Sequence, residues 1–289
     1  MIPRLFTPLE LSQGAVVGLD EAASHHASRV LRLGRGAEVE LFDGRGRSAA
    51  ATIVATSPST TVRVGQLHPP AAPPAMHLTL AQCISAADKM DWTIEKAVEL
   101  GVAAIVPLQS HKAIVKLSAE RAARRHQHWQ RLILAASAQS RQNRLPELLP
   151  AIKLGDWLGA GEPRAESPAV DGRAAAASEH GRSEHGRSED GRSEDGAGGD
   201  APLRLILDPR APQSLPAVMA TWQPAGARQP APRRVVLLCG PESGFSPAEL
   251  DQAAQSGWLA AALGPRVLRT ETAGLAALAV LQAGWGDLR

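Results

Sequence analysis

The sequence has few residues of the kinds that stack on bases, form disulfides or ligate metals. None of the 289 residues is tyrosine and only three are phenylalanine, so no aromatic platform for single-stranded bases is visible. The two cysteines, Cys83 and Cys239, lie in apolar stretches without metal-ligand spacing. This argues against a disulfide framework and a metal site, and it predicts two buried, reduced thiols.

Long apolar runs are also missing. No stretch approaches the roughly 20 apolar residues that a membrane-spanning helix needs, and MIPRLFTPLE at the N-terminus lacks the apolar core of a secretory signal. We therefore expect a cytoplasmic protein with no membrane partner. The net charge is +2, but residues 160–200 hold ten acids and five arginines, which leaves +7 on the remainder. A basic body favours a polyanionic partner contacted mainly by arginine.

The first 70 residues have the pattern of a small β-rich domain. Short β-like runs, IPRLF, AEVELF, SAAATIVAT and TTVRV, are separated by turn residues. A helix is predicted over Asp20–Arg32, which begins with acids, ends with arginines and runs into Gly34. Together they predict a small β-barrel with one helix. The four prolines of residues 68–75, HPPAAPPA, exclude regular structure, so we place a domain boundary there.

After the prolines, strand and helix patterns alternate. Strand HLTLAQCI, helix KMDWTIEKAVEL and strand VAAIVPL predict a βαβ unit, and a basic amphipathic helix follows Ser118. Residues 159–201 contain the repeat SEHGR SEHGR SEDGR SEDG and bury too little apolar surface to order, which predicts a disordered insert. Beyond it the runs RLILD and VVLLCG, helix PAELDQAAQ, strand WLAAAL and a last helix to Trp285 complete an α/β domain.

The first candidate site is a glycine-bearing loop, Gly240-Pro241-Glu242-Ser243-Gly244, after the strand VVLLC. The helix behind it opens with a capping box of Ser246 and Glu249. Backbone groups are uncovered at the carboxyl end of a parallel strand, and glycine allows a ligand to approach closely. The pattern favours a binding loop, although a tight, well-capped connection without a ligand explains the same residues.

The second candidate is LGPRVLRTETA, residues 263–273, which joins a strand to a helix that is apolar nearly all round. Such a helix must be buried on several sides. Its arginines, threonines and glutamate are costly to hide without partners. A polar ligand, a second subunit or an internal polar network would each satisfy them. A dinucleotide-binding fold is not indicated, because no G-x-G-x-x-G follows the first strand of a βαβ unit.

Together, GPESGFS and LGPRVLRTETA resemble the signature of the bacterial 16S ribosomal RNA uridine-N3 methyltransferases of the SPOUT superfamily. The likeness extends through IPRLF, HHASRVLRLGRG, LFDG, DKMDWTIEKAVELGV, NRLPELLP and QAGWGDLR. It implies a PUA-like RNA-binding β-barrel over residues 1–70, and an α/β SPOUT domain with a deep trefoil knot over residues 76–289. It further implies S-adenosylmethionine as cofactor, 16S ribosomal RNA or the small ribosomal subunit as substrate, and a homodimer.

Carried onto this sequence, the family's cofactor contacts fall on the two loops, at Gly240, Pro241, Glu242, Gly244, Leu263, Gly264, Arg266, Leu268 and Thr270. For catalysis we expect Arg269 or Arg266 to face the base or its phosphate, and Glu271 to orient or accept the N3 proton. RNA contacts are predicted from seven cations: Arg4, Arg29, Arg32, Lys112, Lys116, Arg141 and Arg144.

Two single-residue departures and a long insert separate this chain from the family pattern. Ser243 stands where the family commonly has glycine, and Ala138 where it often has glutamate. The insert over residues 159–201 is much longer than the usual connection. The two substitutions leave a second function open, that of a noncatalytic RNA-binding or ribosome-assembly protein that retains the fold.

Overall fold

The computed structural model describes residues 2–111, 118–160, 202–222 and 234–288, and its strands form two sheets. Most of the predicted insert, including the repeat, lies outside these residues. Its first two residues, Gly159 and Ala160, instead end a helix. None of the helices in the described part of the chain is long and apolar enough to cross a bilayer.

The first sheet is built from residues 4–67. Its strands are β1 (Arg4–Phe6), β2 (Val16–Gly18), β3 (Glu38–Phe42), β4 (Ser48–Ala55) and β5 (Thr61–Leu67). They lie in the order β1-β3-β4-β5-β2, and each pair is antiparallel except β1 with β3. Alternate residues of β3, Val39 and Leu41, are buried with Ile53 and Val62 in a core of their own.

The helix of this region is shorter than predicted and changes its form. Helix α1 covers Glu21–His25, where the Asp20 side chain accepts a hydrogen bond from the Ala23 amide at 2.7 Å. A π-helical turn follows over His26–Val30, and Arg32 then adopts a φ of 53°. Charge patterns at helix ends do not report the hydrogen-bond register, so the switch to wider turns was not predictable from them.

The second sheet forms the larger part of the described chain. Its strands are β6 (His77–Cys83), β7 (Ala104–Gln109), β8 (Glu147–Leu148), β9 (Ile152–Lys153), β10 (Leu203–Leu207), β11 (Arg234–Cys239) and β12 (Leu259–Ala261). They run parallel in the order β12-β10-β11-β6-β7-β8, with β9 also beside β7. Its helices are α2 (Ala87–Glu99), α3 (Ala119–Gln139), α4 (Leu154–Ala160), α5 (Leu215–Thr221), α6 (Pro247–Gln255) and α7 (Thr270–Trp285).

Both faces of this sheet are covered. The neighbouring residues Leu237 and Leu238 of β11 are fully buried in two different apolar clusters. A central parallel strand with helices on either side has this property, and it explains why its sequence reads as a continuous apolar run.

The elements predicted after residue 76 are confirmed, whereas β2, β8, β9, α4 and α5 were not predicted. These five are too short for a periodic pattern to identify them. Residues 68–75 contain no helix or strand, as expected from their prolines. The division into domains 1–70 and 76–289 stays a prediction.

Candidate functional site

A cavity of about 710 Å³ lies where neighbouring parallel strands of the second sheet end. Its walls come from the loops after β10, β11 and β12, and from Lys89 in the first turn of α2. Strand ends at this edge leave backbone groups uncovered, which is why open α/β sheets bind ligands there. The volume falls within the roughly 300–1,000 Å³ of small-molecule sites.

Two glycines shape the loop after β11. The ideal Cβ position at Gly240 lies only 2.8 Å from the Phe245 ring, so a side chain would displace that ring. Gly244 has a φ of 68°, a conformation that L side chains rarely adopt. Ser243 has no positive φ, so its backbone does not require glycine. The predicted capping box of Ser246 and Glu249 is present at the start of α6.

Thr270 joins the two candidate loops at the back of the pocket. Its hydroxyl donates to the Gly240 carbonyl and accepts a hydrogen bond from Gln82 Nε2 at 3.0 Å. The Cys239 thiol donates to the Thr270 carbonyl at 3.3 Å. Burial raises the pKa of Cys239 to about 11, so the thiol remains protonated at neutral pH. The buried thiol therefore acts as a hydrogen-bond donor and not as a nucleophile.

Cys83 is the other free thiol, and it is also buried. Burial raises its pKa well above the ordinary value. The prediction of two buried, reduced thiols is confirmed.

A lysine that lines the pocket lies between two carboxylates, one of which, Glu242, also lines it. Lys89 Nζ lies 3.6 Å from Glu242 Oε1 and 3.6 Å from Glu271 Oε1. Glu271 is only 9% exposed, and its Oε2 has no hydrogen-bond partner among the described residues. The three side chains come from α2, from the loop after β11 and from α7, and they carry one net negative charge.

The loop after β10 adds an ion pair that the sequence reading missed. Arg210 Nε and a terminal nitrogen each lie 3.1 Å from an oxygen of Asp208. Burial alone would raise the pKa of Asp208, but hydrogen bonds from the Arg210 side chain and backbone outweigh it and lower the pKa. Both residues line the cavity. In the sequence, the position of Asp208 directly after the apolar strand LRLIL could have indicated a residue of the site.

Most residues predicted at the cofactor site line the cavity. They are Gly240, Pro241, Glu242, Gly244, Leu263, Arg266, Leu268 and Thr270, together with the predicted catalytic Arg269. Gly264 and Glu271 are not among the lining residues. Gly264 has a φ of 92° in the turn before Arg266, and Glu271 lies behind Lys89. The side chains of Arg266 and Arg269 have no hydrogen bond or ion pair within the described ranges.

The prediction that Arg4 contacts RNA is wrong. Its side chain is 4% exposed, its Nε lies 3.3 Å from Glu40, and its guanidinium packs on the Phe42 ring. It also donates to the Ser137 carbonyl at 3.2 Å and to the Asn143 side chain. Burial lowers the pKa of Arg4, and Glu40 offsets part of this effect. Arg4 thus ties β1 to the end of α3, where no phosphate reaches it.

The other predicted RNA contacts lie on the surface or outside the described residues. Arg29, Arg32 and Arg141 are exposed. Arg144 is exposed as well, but its guanidinium donates to the carbonyls of Arg45 and Ala71. Lys112 and Lys116 fall in residues 112–117, which the structure does not describe.

Among the described residues, no group of three or more His, Cys, Asp or Glu side chains could hold a metal ion.

The hydrogen bonds of Thr270 with Gly240 and Gln82 are expected to stabilise the fold. Thr270→Val keeps the shape of the side chain but leaves the Gly240 carbonyl without its donor and removes one of the two hydrogen bonds of the Gln82 amide, which keeps its bond to the Cys83 carbonyl. We expect the free energy of unfolding to fall by about 2 kcal/mol. Thr272→Val, at an exposed position of the same helical turn, should change it by less than about 0.5 kcal/mol. Urea denaturation measures both. Equal free energies of unfolding for the two variants would show that the hydrogen bonds of Thr270 do not stabilise the fold.

Comparison with known proteins agrees with this architecture. Residues 72–178 and 196–282 match the RNA methyltransferase domain family, and residues 19–61 match an RNA methyltransferase PUA domain. A ribosomal RNA small subunit methyltransferase E from Neisseria gonorrhoeae, solved with bound S-adenosylmethionine, is 30% identical, with 100% of both chains covered and a TM-score of 0.74. A Legionella pneumophila structure, solved in complex with S-adenosylmethionine, is 29% identical over 100% of both chains, with a TM-score of 0.79.

A curated relative points the same way. The ribosomal RNA small subunit methyltransferase E of Mycobacterium bovis is 28% identical over 279 residues, which cover 94% of this chain and 89% of the relative. The domain match alone covers more than half of the chain. The chain therefore belongs to the RNA methyltransferase family, within the group named ribosomal RNA small subunit methyltransferase E.

Proposed function

We propose that the chain is a cytoplasmic enzyme that transfers the methyl group of S-adenosylmethionine to N3 of a uridine in 16S ribosomal RNA. The observation that carries the proposal is the convergence of two distant loops, residues 240–244 and 263–270, on one cavity. The relative from Neisseria gonorrhoeae, whose structure contains S-adenosylmethionine, covers the whole chain and supports this choice of cofactor.

The residues present fit a bent nucleoside with a charged tail. Leu207, Phe245, Leu263 and Leu268 give the cavity apolar walls suited to a purine ring. The backbone of residues 240–244, where Gly244 has a positive φ and no side chain, can donate and accept hydrogen bonds at the ligand's polar edge. We propose that the predicted cofactor contacts bind the ligand through these apolar walls and backbone groups. Gly264 belongs to this set because its positive φ shapes the turn in residues 263–270.

The proposal includes the trefoil knot of the SPOUT fold. Two contacts support it. The hydroxyl of Thr270 reaches the carbonyl that follows β11, and the Cα of Gly274 faces Gln82 of β6, where an added Cβ would lie 3.0 Å from the Gln82 oxygen. The start of α7 is thus packed tightly against the ends of two central strands.

For the chemistry, the donor supplies an electrophilic methyl group on a sulfonium. The N3 nitrogen of uridine is a poor nucleophile while it is protonated, so the site must take up or share that proton. Glu271 has a buried oxygen, Oε2, without a hydrogen-bond partner in the described part of the chain, and this oxygen can accept the proton or orient the group that carries it. Arg269 or Arg266, both without a hydrogen bond or ion pair among the described residues, stabilises the negative charge that develops on the flanking carbonyl oxygens or holds the phosphate.

RNA would be held by cations from both predicted domains, residues 1–70 and 76–289. Arg29, Arg32, Arg141 and Arg144 remain candidates for phosphate contacts, together with Lys112 and Lys116. Arg32 and Arg141 are the non-glycine residues with positive φ in the described chain. Strained backbone of this kind clusters at functional sites, which supports a role for these two arginines.

A homodimer is part of the proposal as well. Helix α7 leaves apolar side chains such as Ala276, Val280 and Ala283 partly or fully accessible, and Val267 beside the pocket is 82% exposed. A second subunit would cover them.

Mass spectrometry of 16S ribosomal RNA from cells with and without this protein tests the proposal. We expect one uridine methylated at N3 in the first sample and unmodified in the second. Purified protein given naked 16S RNA or small subunits should restore the mark and identify the substrate form. Calorimetry with S-adenosylmethionine distinguishes the enzyme from a noncatalytic RNA-binding or ribosome-assembly protein, because only the enzyme needs to bind the donor. An unchanged methylation map would refute the proposed reaction.

A further inference from the structure

The turn between β3 and β4 is paired with the connection between α3 and β8. Arg45 and Arg144 form an isolated antiparallel bridge there, and a backbone hydrogen bond of 2.9 Å lies on each side of it. These bonds run from the Gly46 amide to the Asn143 carbonyl and from the Leu145 amide to the Gly44 carbonyl. This turn contact, residues 44–46 with 143–145, joins the two sheets through their backbones.

Gly44 allows the two segments to approach this closely. It has a φ of 73°, and its ideal Cβ position lies 2.8 Å from Leu145 Cδ1 and 3.0 Å from the Phe6 ring. Leu145 in turn packs against an apolar cluster of the second sheet. A side chain at position 44 would therefore displace Leu145 or move the turn away from it.

Asn143 adds side-chain hydrogen bonds across the turn contact. Its amide donates to the hydroxyl of Ser48 in β4 at 3.2 Å, and its side-chain oxygen accepts from Arg4 in β1. Ser48 and Arg4 are both buried. Domains of one chain ordinarily move relative to each other unless their interface is extensive. Backbone pairing combined with buried side-chain bonds restrains such motion.

From these contacts, and resting on the proposed function, we infer that Gly44 and Asn143 are positioning residues for methyl transfer. RNA held by cations of residues 1–70, which include the match to an RNA methyltransferase PUA domain, must present one uridine to the pocket of the second sheet. A misplacement of about 1 Å can slow a reaction roughly 100-fold. The turn contact sets where the uridine arrives, although neither residue lines the cavity.

Gly44→Ala is expected to slow methyl transfer at saturating RNA and donor by about tenfold or more, because bound RNA is no longer held at a fixed position from the pocket. Gly36→Ala is the matched control. Gly36 also has a positive φ, 87°, but among the described residues no heavy atom beyond its chain neighbours lies within 4 Å of its ideal Cβ position. Asn143→Ala, which adds no atoms, is the second variant if Gly44→Ala does not fold.

Two further measurements separate positioning from a general loss of structure. Calorimetry should give the parental affinity for S-adenosylmethionine in Gly44→Ala and Asn143→Ala, because the pocket is unchanged. Spin labels at Arg63→Cys in β5 and Arg124→Cys in α3 report the distance between the sheets, since both positions are exposed and the native thiols are buried. We expect one narrow distance distribution for the parental chain and for Gly36→Ala, and a broad one for the two test variants.

Narrow distributions in both Gly44→Ala and Asn143→Ala overturn the inference. A parental rate in a variant whose distribution has broadened overturns it too, as does equal slowing by Gly36→Ala. The proposed function fails in a different way. The parental protein would then leave the RNA unmethylated, and the distances would still decide whether the turn contact fixes the two sheets.

Discussion

Replacement of Glu271 by glutamine is expected to lower the single-turnover rate of methyl transfer by about 100-fold. Glu271 lies in the first turn of α7, and one of its oxygens is buried without a partner in the described structure. An amide of the same shape cannot take up the N3 proton, so the loss should fall on the chemical step. Rapid mixing with saturating donor and RNA measures the rate, and calorimetry on the same variant should show that the donor still binds.

Arg269→Ala belongs to the same experiment, and we expect it to slow the chemical step as well because its guanidinium is available to the substrate. Glu99→Gln is the control, since Glu99 also pairs with a lysine of α2 but on the exposed face, 2.6 Å from Lys96. This control should react at the parental rate. Near-parental rates for both Glu271→Gln and Arg269→Ala would remove these residues from the chemistry.

Arg4→Met is expected to lower the free energy of unfolding by about 3–5 kcal/mol. Methionine fills much of the same volume but leaves the Glu40 carboxylate, 3.3 Å from Arg4 Nε, without its partner. It also removes the hydrogen bonds to the Ser137 carbonyl and the Asn143 side chain, which hold the first sheet against α3. Urea denaturation at neutral pH measures the change.

The control for Arg4 is Arg47→Met. Arg47 pairs with Glu10 at 3.2 Å, but their side chains are 56% and 75% exposed, so its loss should cost less than about 1 kcal/mol. The salt dependence of RNA binding by folded Arg4→Met should match that of the parental protein. A stable Arg4→Met protein with a weaker salt dependence would instead restore Arg4 as a phosphate contact.

The error at Arg4 and the omission of Lys89 have a common cause. A sequence shows the sign of a charge but not whether the side chain is buried. The local sequence IPRLF would look the same if Arg4 were exposed. Lys89 is more than 150 residues from the loops it contacts, so no local spacing links it to Glu242 or Glu271. Asp208 was visible at a strand end, but its partner Arg210 and their place in the pocket depend on the strand order.

Local patterns of the sequence by themselves determined the long helices and buried strands, the capping box of α6 and the two polar loops, and the motifs in these loops identified the family. The tertiary structure alone decided which side chains share the pocket, because β12 lies beside β10 and β11 lies beside β6, and neither pair is consecutive in the sequence. Periodicity and capping report hydrogen bonds and burial within one element. Contacts between the ends of separate strands follow from the order in which the strands pair.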